Sequence, residues 1–127
     1  MAAGRWKFTI LLALLFVALG FLLYNLSSPL AISPDEAKAR LQRGQFDHVI
    51  DVRTNTEWDM GHYPLAIHIP IANILNELPQ RVPDKHAKLL FYCNTSTRAR
   101  IAAEKAQSIG YKNVRYLLGT HRNLLQE

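Results

Sequence analysis

Cys93 is the one cysteine among 127 residues, and its setting is the chain's clearest chemical signal. It ends an apolar run, Leu89-Leu90-Phe91-Tyr92, and precedes a polar stretch, Asn94-Thr95-Ser96-Thr97-Arg98. A helical pattern follows from about Arg98 to Ser108, so the segment reads as strand, tight loop and helix. A side chain at the carboxyl end of a strand in an open parallel sheet stands where ligands bind. The next helix offers unpaired N–H groups to an anion, and successive loop amides form a nest around one. Thiolate is the nucleophilic form of cysteine, so this setting suits attack by sulfur on an anionic substrate. Arg98 is placed to offer paired N–H donors to an oxyanion, whereas Arg100 can point elsewhere. The competing reading is a buried, inert cysteine, a common place for a free thiol.

Other nucleophile and metal chemistries lack support. The five histidines, His48, His62, His68, His86 and His121, are scattered, and none adjoins Cys93. A papain-like cysteine–histidine pair therefore has no local signature, and no zinc-ligand spacing exists. A single cysteine excludes an internal disulfide in this chain and any multi-cysteine metal site. The reading calls for no cofactor and no metal. Formal net charge is +5; without Arg5 and Lys7, thirteen Lys/Arg face ten Asp/Glu, leaving a mild +3 and no basic block that would argue for nucleic acid.

The elements that must position Cys93 follow from pattern. Residues 1–7 form a basic flank carrying Arg5 and Lys7. Residues 8–26 are uncharged, with no polar face, and are long enough as a helix to span a bilayer core. The poor cleavage context around Ser27 to Ala31 favours a retained single-pass anchor over a cleaved signal peptide, which would leave a secreted or periplasmic protein. The basic flank predicts a cytosolic N-terminus and a domain on the other side. Residues 27–32 read as a linker and 33–127 as one α/β domain.

Within that domain, Ser33-Pro34 with Glu36 predicts a capped helix ending near Gly44. His48–Val52 predicts a strand, followed by a helical turn capped at Thr54 or Asn55 and stopped at Gly61. Ala66–Ile69 predicts a second strand. Ile71, Ile74, Leu75 and Leu78 predict a helix ending at Pro79. Lys88–Tyr92 predicts the central strand, and Asn113–Leu117 another. Thr120 or His121 is a candidate cap for a last short helix. Alternating strands and helices predict an α/β domain whose four strands form a parallel sheet with right-handed crossovers.

Ile50-Asp51-Val52-Arg53, Glu57, Gly61-His62-Tyr63-Pro64 and Ala66, then Cys93, Arg98 and Gly110-Tyr111-Lys112-Asn113-Val114 and Leu118-Gly119, together resemble the rhodanese domain. The resemblance spans roughly Ser33 to Leu125 and implies a small three-layer α/β domain, its central parallel sheet of four to five strands flanked by helices. It implies a persulfide carried on Cys93, a small anionic sulfur compound such as thiosulfate or a polysulfide as donor, and a thiol or cyanide as acceptor. It implies substrate binding by the loop, Asn94, Thr95, Ser96, Thr97 and Arg98. It gives Asp51, Arg53, Glu57 and His62 supporting roles: an ion pair of the Asp51–Arg53 strand end with Glu57 or a clamp on loop backbone, and a hydrogen-bonding role for His62.

The chain departs from the family's loop pattern. Asn94 stands for its first arginine, Ser96 for its glycine and Ala99 for its hydroxyl residue, while Leu65 and Thr120 replace turn glycines. Losing an arginine weakens anion capture, and Ser96 predicts an altered loop dihedral. A phosphatase of the same fold would have one more residue in the loop, with arginine at Ala99; that disfavours phosphatase chemistry, and arsenate reduction ranks lower still. The rival to catalysis is a membrane-tethered binding or adaptor module that uses the fold without turnover.

Overall fold

The computed structural model describes residues 4–26 and 28–125. Five parallel strands, β1 (Ala31–Ile32), β2 (His48–Asp51), β3 (Ile67–His68), β4 (Lys88–Tyr92) and β5 (Asn113–Leu117), form one sheet in the order β1-β5-β4-β2-β3. β4 is central, as its continuous apolar run predicts, since a strand with helices on both faces needs apolar side chains on both. Its register, Val49 opposite Leu90 and Leu89 opposite Val114, aligns the carboxyl ends of β2, β4 and β5 at one pole.

Alternation along β4 divides the core. Leu89, Phe91 and Cys93 enter one cluster, with Ile74 and Leu78 of α4 (Ile74–Arg81) and Ala99, Ala102, Ala103 and Ala106 of α5 (Thr97–Ser108). Leu90 and Tyr92 enter the other, with Ala37 of α2 (Pro34–Gln42) and Leu124 of α6 (Arg122–Leu125). The alanine face of α5 lets that helix approach the sheet closely. Both caps form: Ser33 Oγ accepts from the Glu36 N–H, and Thr54 with Glu57 makes a reciprocal capping box on α3 (Asn55–Asp59).

Two expectations are corrected. The segment read as a linker contains β1, whose two residues pair with Tyr116 and Leu117; so short an edge strand has no periodicity to read. The helix expected to stop at Pro79 runs to Arg81. Proline costs that helix its bond to the Leu75 carbonyl, but the inward faces of Ile74 and Leu78, both fully buried, hold it in place.

The apolar N-terminal segment is a continuous helix, α1 (Arg5–Leu26). Arg5–Tyr24 is long and apolar enough to cross a membrane, with mean hydropathy 2.3 and none of it buried against the protein. Its far end meets the domain. Arg100 Nη1 donates to the Tyr24 carbonyl at 2.6 Å, its guanidinium lies 3.3 Å from the Tyr24 ring centroid, and its Nε donates to Glu104 at 2.7 Å. A cation at a helix C-terminus is favourable, and a ring beneath it adds a cation–π contact.

The turn after β5 positions the site's rim and tolerates no side chain at Gly119. Its φ is +130°, and an added Cβ would stand 2.6 Å from Asn123 Oδ1, the atom that accepts from the Thr120 N–H. Gly119→Ala is expected to destabilise the detergent-solubilised protein by about 1–3 kcal/mol, read from its thermal midpoint. An unchanged midpoint would contradict this account of the turn.

Candidate functional site

The sheet delivers Cys93 to the carboxyl end of β4, where the chain turns through Asn94, Thr95 and Ser96 into α5. The thiol is fully buried, and its Sγ accepts from the Ala99 N–H, in the first turns of α5, at 3.4 Å. The geometry thus turns an α5 amide toward the sulfur. Asn94 and Thr95 are exposed, while Ser96, Thr97 and Arg98 are half-buried. Ser96 is the one non-glycine residue with positive φ (+70°) among the described residues. A serine there carries backbone strain that glycine would avoid. Its Oγ accepts from the Gly119 N–H at 3.1 Å, which ties the loop to the β5–α6 turn.

Arg98 does not project freely toward an incoming oxyanion. Its two terminal nitrogens donate to the two Glu57 carboxylate oxygens at 2.7 and 2.9 Å. The Asn94 side-chain amide also donates to Glu57, and the carboxylate accepts from the Thr54 N–H and hydroxyl. The expected anion clamp at Arg98 is thus occupied by the protein's own carboxylate. These bonds, that to Arg98 foremost, pull the Glu57 pKa down from 4.5 to about 2, and the Arg98 pKa is raised by the same pair.

Behind the loop lies a second buried network. Arg53 donates through Nε and Nη2 to the fully buried Asp51, through Nη2 to the Gly61 carbonyl at 2.7 Å, and through Nη1 to Asn94 Oδ1 at 3.4 Å. Arg53 therefore pairs with Asp51 rather than with Glu57: β2 brings the two residues together at its end, while the capping box turns Glu57 toward Arg98. The clamp on loop backbone is present, at Gly61. Tyr92, on the opposite face from Cys93, donates its hydroxyl to Asp51 at 2.5 Å and accepts from the Tyr63 N–H. Burial, with Asp51 adding to it, raises the Tyr92 pKa. His62 is half-buried, its Nδ1 3.0 Å from the Trp58 carbonyl, and its ring stacks on Trp58 at 3.4 Å between centroids, with His68 on Trp58 at 4.6 Å. Among these bonds none reaches the sulfur, whose hydrogen-bond partner is the Ala99 amide.

A cavity of about 320 Å³ opens at this pole, lined by Arg53, Glu57, Met60, Gly61, Asn94, Thr120, His121 and Arg122. In the sequence Thr120 is a candidate cap at a turn-glycine position and His121 a candidate cap, while Arg122 carries no signal of its own. A signal existed: adjacent parallel strands end at the same pole, so the turn after β5 must adjoin the loop after β4. Thr120 does cap, with Oγ1 accepting from the Arg122 N–H, whereas His121 is buried toward Tyr92. Arg100 faces away, toward Tyr24 and Glu104.

The depressed pKa of Glu57 carries a pH prediction. The clamp's stability contribution is fully present above about pH 4.5 and is lost as pH falls toward 2, because the unfolded carboxyl binds its proton first. Glu57→Gln is expected to lower stability at pH 7 by roughly 1–2 kcal/mol, allowing for solvent screening of this partly exposed pair, and to flatten the profile in that acid window. Parallel acid-titration profiles of the two proteins, each followed by circular dichroism, would contradict the clamp.

Comparison with known proteins agrees with this architecture. Residues 33–123 match the model of the rhodanese-like domain. Thiosulfate sulfurtransferase PspE of Escherichia coli is 32% identical over 68 residues, covering 54% of this chain and 65% of that protein. The tRNA uridine(34) hydroxylase of Erwinia tasmaniensis is 31% identical over 74 residues, covering 55% of this chain and 21% of that enzyme. The chain thus spans about a fifth of one of these curated relatives and just under two thirds of the other. Among solved structures, the human single-domain sulfurtransferase TSTD1 superposes with TM-score 0.67 at 26% identity, over 77% of this chain and 96% of that one. A rhodanese with anions from E. coli superposes with TM-score 0.57 at 29% identity, over 63% of this chain and 93% of that one. With residues 33–123 matched and a five-stranded parallel sheet of the same kind, this chain belongs to the rhodanese-like domain family.

Proposed function

We propose that this protein is a membrane-anchored sulfurtransferase that carries sulfane sulfur as a persulfide on Cys93. The observation that carries the reading is the placement of the thiol: at the carboxyl end of β4, with an α5 amide directed at its sulfur and four residues between it and Arg98. That ring suits a single sulfur atom better than a tetrahedral phosphate ester. Relatives named as sulfurtransferases support it.

In the first half-reaction the Cys93 thiolate attacks the outer sulfur of the donor. The donor's sulfur–sulfur bond breaks, and sulfite or a thiolate leaves with the electron pair. The persulfide charge then lies against the α5 amide, a preorganised donor that costs no reorganisation. In the second, an acceptor thiolate or cyanide attacks the outer sulfur and the Cys93 thiolate departs, restoring the enzyme. Because Cys93 is fully buried, each half-reaction needs the loop to move aside.

Donor preference follows from the charges. Arg98 is matched by Glu57, Arg53 by Asp51, and Asn94 supplies no charge. A dianion, whether thiosulfate or an inorganic polysulfide, finds one further cation here, Arg122 at the cavity rim, which favours persulfides of low charge as donors. The buried thiol and the Glu57 closure also favour the second reading, a binding module without turnover. The helix Arg5–Tyr24 supports a retained anchor, with Arg5 and Lys7 setting a cytosolic N-terminus and the domain on the opposite side. Cleavage to a secreted or periplasmic form is the alternative, and a mature protein that lacks residues 1–26 by mass would establish it.

Incubation with polysulfide, then with thiosulfate, is expected to add one sulfur atom, about 32 Da, to the peptide containing Cys93 and nothing to Cys93→Ser. No increment from either donor, with the thiol shown to be free, would leave the binding module as the better reading.

A further inference from the structure

One group at the cavity has no structural task. His121 is only 7% exposed, and its Nδ1 is the single buried side-chain nitrogen or oxygen without a hydrogen-bond partner among the described residues. Native proteins rarely leave such an atom, so it calls for a reason. The other ring nitrogen, Nε2, has no hydrogen bond among the described residues either, yet it is not among the enclosed atoms, and the residue lines the cavity beside Asn94, the neighbour of Cys93. With Nδ1 enclosed and the residue lining the cavity, Nε2 is the ring nitrogen left to the cavity.

That orientation selects the tautomer. A proton on Nδ1 would bury a donor with no acceptor, whereas a bare Nδ1 lone pair is more readily tolerated. The proton of the neutral ring belongs on Nε2, pointing into the cavity. The imidazolium would need protons on both nitrogens, so it suffers the same buried donor. Around the ring, Arg53, Arg122 and His62 oppose a positive charge, Asp51 favours one but is committed to Arg53 and Tyr92, and the net direction is down, with burial the largest cause.

Resting on the sulfurtransferase reading, we infer that His121 sets acceptor specificity by donating its Nε2–H to the carbonyl oxygen of an amide-bearing thiol, the chemistry of a cysteinyl peptide. The charges of the other walls are largely matched, Arg53 by Asp51 and Glu57 by Arg98; Arg122 stands at the rim, and Met60 adds an exposed apolar surface. A neutral donor at the rim orients a carbonyl without attracting every passing anion. The transfer itself is the attack described above: the acceptor sulfur bonds to the outer sulfur, the bond to Cys93 breaks, the Cys93 thiolate leaves, and the acceptor proton has gone to solvent.

The test uses the full chain in detergent, loaded with polysulfide, and follows loss of the Cys93 persulfide by mass. Three acceptors are compared at equal thiolate concentration: N-acetylcysteine amide, 2-mercaptoethanol and mercaptoethanesulfonate. The unmodified protein is expected to react with the amide about tenfold faster than with 2-mercaptoethanol, the ratio one such hydrogen bond supports, with the sulfonate also slower than the amide. His121→Phe should erase the amide preference while leaving 2-mercaptoethanol within twofold, and His121→Gln, which keeps a side-chain N–H donor, should restore part of it. Equal loss for both uncharged thiols, or no loss, overturns the role of His121 while the persulfide stands. A protein that never loads overturns the sulfurtransferase reading and this inference with it. Nitrogen-15 shifts of the ring report the tautomer without any turnover: an Nε2–H ring supports the assignment and an Nδ1–H ring overturns it.

Discussion

The Glu57 carboxylate is the interaction on which the site's geometry depends. It accepts from α3's own cap, from the Asn94 amide and from both terminal nitrogens of Arg98, which lies forty-one residues away in sequence. An isolated surface ion pair contributes about 0–1 kcal/mol, too little to hold a strained loop. This one is two-pronged, only 24% and 31% exposed at its carboxylate and guanidinium, and reinforced by neutral donors. It can therefore offset the roughly 1–3 kcal/mol that a positive-φ serine costs. With the loop fixed on one side by Glu57 and on the other by the Ser96–Gly119 bond, the sulfur of Cys93 stays against the Ala99 amide.

The same interaction sets the electrostatics. A loop that uses its arginine to hold itself together has less positive charge left for substrate. The neighbouring cation, Arg53, is spent on a carboxylate with no exposure at all. Removing either partner of such a buried pair strands a charge, so both are fixed as structure. What remains for recognition is the α5 backbone, the His121 ring and one further cation at the rim, Arg122. Access to the buried thiol runs through motion of the loop. At the far end of α5's first turns, Arg100 holds the end of α1, so the helix that presents an amide to the sulfur is also the one that meets the apolar segment.

Much of this was legible in the chain. β4 and Cys93 stood out because an apolar run ending in a polar loop before a helix has few interpretations. The caps at Ser33 and Thr54 read correctly because capping is local, a matter of three or four residues. The strain at Ser96 followed from its side chain at a position the family keeps for glycine. What escaped the reading was long-range. β1 is two residues long and is defined only by its neighbour β5. The partner of Arg98 could not be chosen from sequence, since Asp51 and Glu57 were both available and only the helical turn of α3 decides between them. The place of His121 in the cavity wall needed the strand order, which brings the end of β5 beside the end of β4. Pro79 misled because a local rule yielded to two buried side chains on the same helix.

The central claim is that the Cys93 sulfur takes and passes on a sulfur atom. It is tested most directly by following donor sulfur labelled at the outer position alone through one turnover. The account predicts that the label first resides on Cys93 while the remainder of the donor leaves unlabelled, and that added thiol then removes the label in a single step and returns the free thiolate. Label that never enters the protein, or that reaches the acceptor without passing through Cys93, would contradict it.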